Sequence, residues 1–247
     1  MDFFSGIWLY ADDIILLSAS VSGLQHMIDA CILELENVDL AVNILKTKCM
    51  RIGRRYKAID TPVAINGSSI QWCNQLSYLG MVFTTSAIFK CNLHENKANF
   101  FRAANSILSL VGSKNIPVFM SLVFSKCMSM LTYGVTAIML KKYEFSKLDN
   151  CLVLFLAKIF GTFNKNILQQ CLYYTGYLPV SLIVALNKMK FLSSFAQLEN
   201  YNDTLFYFLK LVAHEELLVL SEAYNINENV SHRCRKEKMW SYFEGTL

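Results

Sequence analysis

Proline occurs three times and glycine ten times in 247 residues, and charged residues make up only 17%. That scarcity excludes a linker-rich or low-complexity chain, because the residues that build flexible tracts are the ones in short supply. No internal repeat is visible. The eight cysteines, Cys31, Cys49, Cys73, Cys91, Cys127, Cys151, Cys171 and Cys234, contain no C-x-x-C pair, so neither a zinc ribbon nor a redox dithiol is indicated. They read as buried thiols in a reducing compartment. The four histidines, His26, His94, His214 and His232, are isolated, and no metal is assigned to them. The chain opens without a basic n-region, and its first apolar run is broken by Asp12 and Asp13, which fits neither a signal peptide nor an anchor. The nearest approach to a membrane span, Cys127 to Leu140, is uncharged but falls short of the roughly 20 residues a bilayer requires. The expectation is an intracellular protein, cytoplasmic or nuclear, with no membrane partner.

What is present is apolar: 54% of residues are hydrophobic, enough to bury a sizeable core in one large domain or two small ones. The net charge of +4 is mildly basic, compatible with a phosphate-binding surface and equally with ordinary surface charge. Cations gather in two knots, Arg51, Arg54, Arg55 and Lys57, and Arg233, Arg235, Lys236 and Lys238. Phe3, Phe4, Trp8, Phe100, Phe101, Phe155, Phe160, Tyr173 and Tyr174 fall mostly at strand or helical spacing, so they read as core sooner than as base-stacking platforms.

Two short apolar runs, Phe3 to Leu9 and Ile14 to Ser18, flank a polar tetrapeptide, the pattern of a hairpin. From Ser20 the spacing turns helical, with Leu24, Met27, Ile28, Cys31, Leu35 and Val38 on one face and Ser20 or Ser22 as cap. Lys48 to Ile52 is a strand candidate, followed by a basic loop ending near Pro62. Val63 to Ile65, Asn66-Gly67, then Ser69 to Trp72 is a hairpin signal, because Asn-Gly supplies the positive φ angles of a primed turn. Leu76 to Phe83 reads as one further strand. Beyond about residue 86 the period is helical, with candidates near 90–111, 116–140, 144–160, 164–174, 180–198, 203–212 and 214–224. Breaks fall at Gly112, Pro117, Gly161, Gly176 and Pro179. The polar residues from Asn225 onward are expected to fray.

The chemistry concentrates at Tyr10-Ala11-Asp12-Asp13. Two adjacent carboxylates repel and call for a cation between them. Divalent magnesium is the natural one, since hard carboxylate oxygens ligate the ions that serve nucleotidyl transfer. A bare Asp-Asp is also an ordinary polar turn. The surrounding text decides between them.

Tyr10-Ala11-Asp12-Asp13 followed by Ile14-Ile15-Leu16-Leu17 resembles the catalytic hairpin of reverse transcriptases. Gly23-Leu24-Gln25 opening a helix, and Asn43-Ile44-Leu45-Lys46-Thr47-Lys48-Cys49-Met50, are similar to the helix and Asn-x-x-Lys-Thr segment of LINE-type (non-LTR) retrotransposon enzymes. Ile65-Asn66-Gly67-Ser68-Ser69-Ile70-Gln71-Trp72 and Leu76-Ser77-Tyr78-Leu79-Gly80 look like that family's hairpin and primer grip. Lys97 to Leu110, Thr132-Tyr133-Gly134 and Leu148 to Gly161 resemble its thumb and the region after it. The resemblance covers roughly residues 5 to 195 and is most specific at the aspartates.

It implies an α+β fold: a partial polymerase palm of antiparallel hairpins with one packed helix over 1–86, an all-α thumb over 87–160, and a helical connecting region over 161–247. It implies an RNA-directed DNA polymerase using Mg2+, with an RNA template and a DNA primer as partners. Asp12 would be the main metal ligand and Asp13 a supporting one. Tyr10 would lie under the primer terminus, and Lys46 near the departing pyrophosphate as a cation or general acid. Tyr78, Leu79 and Gly80 would position the primer backbone, although Gly80 also reads simply as a bend in a strand.

The family's site needs one more aspartate, from a strand well before the hairpin. Asp2 lies on the hairpin's own first strand, and at about 3.3 Å per residue it is too far from the turn to substitute. The expectation is therefore a polypeptide inactive by itself, with an exposed hairpin edge and poor solubility. The alternative reading is a non-catalytic helical module that binds nucleic acid or protein.

Overall fold

In the computed structural model, which describes residues 5–58, 61–112, 115–138, 140–198, 204–227 and 230–247, the first apolar runs form an antiparallel hairpin. Strand β1 (Ser5–Tyr10) pairs with β2 (Asp13–Ser18), Tyr10 opposite Asp13 and Ser5 opposite Ser18. The expected start of the first strand at Phe3 and Phe4, like Asp2, lies outside the described residues. Helix and strand account for 57% and 13% of the chain, so the fold is mixed α and β with helix dominant. Among the described residues the strands all precede residue 93, and the chain divides into two compact units, Met1–Asn92 and Leu93–Leu247.

In the first unit, helix α1 (Val21–Glu36) starts where the polar cap Ser20 accepts from the Gly23 amide at 3.0 Å, satisfying one of the orphan donors of the first turn. A Cβ at Gly23 would sit 2.6 Å from the Ser18 Oγ and 3.0 Å from the Ser20 Oγ, so the close turn from β2 into α1 favours glycine there. The helix buries Ile28 against Cys49, Val63, Ile65 and Ile70, with Leu16, Leu24, Ile32, Ile44 and Trp72 packed around them. Its apolar face is shorter than its sequence pattern: α1 ends at Glu36, and Val38 beyond it is exposed. Gln25 adds a polar tie, its amide donating to the Ala64 carbonyl at 2.8 Å and accepting from the Ala64 amide at 2.9 Å.

The remaining strands are short. β3 (Lys48–Cys49), two of the five residues expected for Lys48 to Ile52, runs parallel to β6 (Gln71–Trp72). β4 (Ala64–Ile65) and β5 (Ser68–Ser69) form the Asn66-Gly67 hairpin with φ of 49° and 78° at the turn, as that dipeptide demands. The segment expected as one strand, Leu76 to Phe83, is instead a hairpin. β7 (Gln75–Tyr78) turns at Leu79-Gly80 into β8 (Met81–Thr84), which also pairs with β9 (Cys91–Asn92). Positive φ at both Leu79 and Gly80 closes that turn. An apolar leucine at the first position hides the signal that Asn-Gly gives openly.

The second unit is helical: α2 (His94–Val111), α3 (Ile116–Leu122), α4 (Met128–Thr132), α5 (Lys142–Phe160), α6 (Lys165–Tyr174), α7 (Val180–Ala196), α8 (Thr204–Ala223) and α9 (His232–Glu244). A π turn, Val123–Cys127, joins α3 to α4, and Gly134 in the left-handed region ends α4 before a 3-10 turn at Val135–Ala137. The expected helix 116–140 is thus broken, while the expected pair 203–212 and 214–224 is one helix. The expected frayed tail is mostly α9, which buries Arg235, Met239 and Phe243 at helical spacing. Phe100, Phe119 and Phe155 form the aromatic centre, ring centroids 5.6–5.8 Å apart; Tyr174, by contrast, is exposed.

All eight cysteines are free, and Cys49, Cys91, Cys127 and Cys151 are buried. Burial, aided by nearby Cys73, pushes the Cys49 thiol to about 11, which keeps it an inert hydrophobe. Among the described residues one helical stretch, Ile116–Ala137, is long and apolar enough to cross a membrane. Core helices share that property, and this stretch buries Phe119, Met120, Val123, Cys127 and Leu131.

Candidate active site

The residues singled out by sequence all lie in the first unit. Its first hairpin turns in two residues, Ala11 and Asp12, with Asp13 the first residue of β2. Ala11 has φ 53°, a left-handed conformation costing about 1 kcal/mol at a residue with a Cβ. Such a conformation persists where the surrounding structure imposes it, and here the full six-pair ladder of β1 and β2 does so. The result is a tight tip from which both carboxylates reach solvent. Asp12 and Asp13 are exposed, and among the described residues neither carboxylate has a hydrogen-bond or ion-pair partner. Tyr10, opposite Asp13, is 61% exposed.

The hairpin's strands are more apolar than their surroundings warrant. Ile7, Trp8, Leu9 and Leu17 are all exposed, and among the described residues β1 pairs with no strand but β2. Leu16 anchors the hairpin to the core that also holds Ile44.

Lys46 stands on a turn that the Asn43-to-Thr47 segment ties by itself. The Asn43 carbonyl accepts from the Lys46 and Thr47 amides at 3.2 and 3.0 Å and from the Thr47 hydroxyl at 2.9 Å, while the Asn43 Oδ1 accepts from the Lys46 amide at 3.2 Å. Asparagine and threonine are needed for this knot because their short side chains bond backbone groups within a few residues. The lysine side chain is left exposed.

Tyr78, half-buried, ends β7, and Leu79 and Gly80 form the exposed turn beyond it, with φ of 46° and 74°. That sheet is tied back to the segment after β3: the Thr85 hydroxyl donates to the Arg51 carbonyl, and the Gly53 amide donates to the Ser86 carbonyl at 2.9 Å. Arg51, one of the first knot of cations, is held over the Trp72 ring at 4.7 Å and donates to the Ala58 carbonyl at 2.7 Å. Sequence reasoning missed Arg51 and Gln25 as organising residues. Only the nearby Trp72 and the helix-opening Gln25 could have signalled them.

The donor chemistry at the tip suits magnesium, which commonly takes one or two carboxylates and completes its shell with water and substrate phosphates. As a self-sufficient protein site it is incomplete. Among the described residues no group of three or more histidine, cysteine or carboxylate side chains is arranged to hold a metal ion. No hydrogen bond or ion pair among these residues joins Asp12 or Asp13 to Lys46 or Tyr78.

No protein-family model, curated protein or solved structure matches this chain. The functional reading stands on its own residues and their geometry.

Proposed function

We propose that this chain is part of an RNA-directed DNA polymerase of the LINE-type, non-LTR retrotransposon class. Residues 1–86 serve as its partial palm and primer grip, 87–160 as its thumb and 161–247 as its connecting region. The observation that carries the reading is the tip of the first hairpin. Tyr-Ala-Asp-Asp sits on a strained two-residue turn with both carboxylates solvent-exposed and unpartnered among the described residues.

In the intact enzyme the primer's 3′-hydroxyl attacks the α-phosphorus of an incoming deoxynucleotide and pyrophosphate departs. Asp12 and Asp13 would hold Mg2+, whose chemistry there would be neutralisation of the charge that develops during the transfer. Tyr10 supports the primer terminus, Tyr78, Leu79 and Gly80 grip its backbone, and Lys46 offers its cation or proton to the pyrophosphate. Free thiols fit a reducing, intracellular setting.

Primer extension on an RNA template with a DNA primer and Mg2+ tests this. The isolated chain should give no templated product. A polypeptide that also supplies the third aspartate and the fingers should give product, and Asp12→Asn should abolish it. Synthesis that survives Asp12→Asn would sink the assignment.

A second reading, a non-catalytic module binding nucleic acid or protein, draws on the cationic start of α9. There burial, with Lys190, Arg235 and Lys236 nearby, holds His232 below the usual imidazole range. Affinity for an RNA–DNA duplex that falls steeply with salt and is unchanged by Asp12→Asn and Asp13→Asn favours it.

A further inference from the structure

The second unit carries a groove of about 210 Å³ between α2 and the end of α5, lined by Phe101, Asn105, Leu154, Phe155, Lys158 and Phe163. Phe155 is its buried floor. The rim is unusual: Phe163 is 84% exposed and Leu154 57% exposed, a heavy exposure of apolar surface around a concave site. α5 stops at Gly161 in the left-handed region, and α6 begins only after its cap Asn164, so Phe163 belongs to the short link between two helices.

The polar groups of this groove lie together. The Lys158 ammonium donates to the Asn105 Oδ1 at 3.0 Å, and among the described residues it meets no carboxylate. A cation whose partner is a neutral amide retains most of its attraction for an anion.

We propose that this groove is a docking slot for a single aromatic side chain of an acidic peptide segment, the ring entering between Phe101, Leu154 and Phe163 and a neighbouring carboxylate meeting Lys158. The inference is independent of the polymerase reading. Size argues for one ring: a cavity of about 150 Å³ accepts benzene, whereas sites for whole small molecules run to roughly 300–1,000 Å³. Charge argues for the carboxylate. A nucleobase suits the slot less well, because its edge carries several donors and acceptors that lose water on entry, and the lining offers polar groups only at Asn105 and Lys158.

The test uses the full chain and a fluorescein-labelled nonapeptide with one phenylalanine flanked on both sides by glutamates, followed by fluorescence anisotropy. The expected dissociation constant is on the order of 100 µM, as for a single-anchor contact. Replacing the peptide's phenylalanine by alanine should weaken binding about tenfold, and Phe163→Ala in the protein about fivefold. Lys158→Gln should weaken it about threefold, and should have no effect on a peptide whose glutamates are glutamines. Phe163 and Lys158 are exposed, so neither change disturbs the fold, which circular dichroism verifies. Four results overturn the proposal. They are absence of saturable binding below millimolar peptide, indifference to both protein variants, phenylacetate binding as tightly as the peptide, and an oligothymidylate that competes with it and loses affinity in Phe163→Ala.

Discussion

Ala11, Asn66 and Leu79 each open a two-residue hairpin turn with positive φ, yet only Asn66 is a residue that tolerates that conformation well. The two poorly suited residues are those at the proposed aspartate tip and primer grip, so strain and proposed function coincide. Leu79→Asn should therefore stabilise the first unit by about 0.5–1 kcal/mol, read as a rise in the urea midpoint followed by tryptophan fluorescence. A fall in the midpoint would show that the Leu79 side chain supplies packing that outweighs its backbone strain. Asp149 poses a different residue-scale question. It accepts from the Ser181 amide at 2.9 Å at the start of α7, and burial raises its pKa above 3.8 against the opposing pull of the Ser181 and Val180 amides and Lys165. A raised folded-state pKa means that its protonated form is the one the fold prefers. The associated stability is complete below 3.8 and is lost as pH rises through the folded value. The stability of the native chain minus that of Asp149→Asn should accordingly decline as pH rises from about 3.8 and then level off. A difference that rises over that range would reverse the assigned cause.

At the scale of elements, α9 shows why some structure is invisible in the sequence. Its buried stripe is Arg235, Met239 and Phe243, one of them a cation, so the pattern reads as a polar tail. Arg235 is 3% exposed and donates its Nη1 to the Met189 carbonyl at 3.0 Å and its Nη2 to the Ser193 hydroxyl at 3.1 Å. The planar fork reaches two acceptors on α7 at once, which an ammonium cannot copy from the same position. Arg235→Lys should therefore loosen α9 more than Arg235→Met, by roughly 1–2 kcal/mol, because it leaves a poorly solvated charge where methionine leaves none. Limited proteolysis within α9 measures this, and equal protection of the two variants would contradict it. Other elements were legible for plain reasons: Ser20, Asn66-Gly67 and Gly161 are local signals that need no tertiary context. The π turn at Val123–Cys127 and the pairing of β3 with β6 are not local. The first leaves the apolar period nearly intact, and the second joins residues more than twenty positions apart. The aspartate tip was legible because its residue types are chemically unusual together. The knot around Lys46 needed coordinates to show why asparagine and threonine flank it.

Across the whole molecule, burial is distributed unevenly. Among the described residues the first unit's buried apolar side chains are few, Ile28, Cys49, Val63, Ile65, Ile70, Met81 and Cys91, while its hairpin exposes Ile7, Trp8, Leu9 and Leu17. The second unit buries the Phe100, Phe119 and Phe155 cluster together with long runs of α5 and α7. It also buries Lys188, whose ammonium meets the Glu216 carboxylate at 2.5 Å and the Ile138 carbonyl at 3.2 Å. Because stability is a small residue of large opposing terms, such an imbalance separates the two units energetically. A polypeptide of residues 93–247 should fold by itself and melt cooperatively, within a few degrees of the main transition of the full chain. Residues 1–92 alone should lack a cooperative transition, since the fewer than ten buried apolar side chains among its described residues cannot offset the backbone entropy of about 1–2 kcal/mol per ordered residue. Hydrogen exchange of the full chain adds an internal control: amides of β1 and β2 should exchange well before those of α5 and α7. If 93–247 fails to fold while the full chain melts in one step, the first unit contributes more than its own core, and the two units fold interdependently.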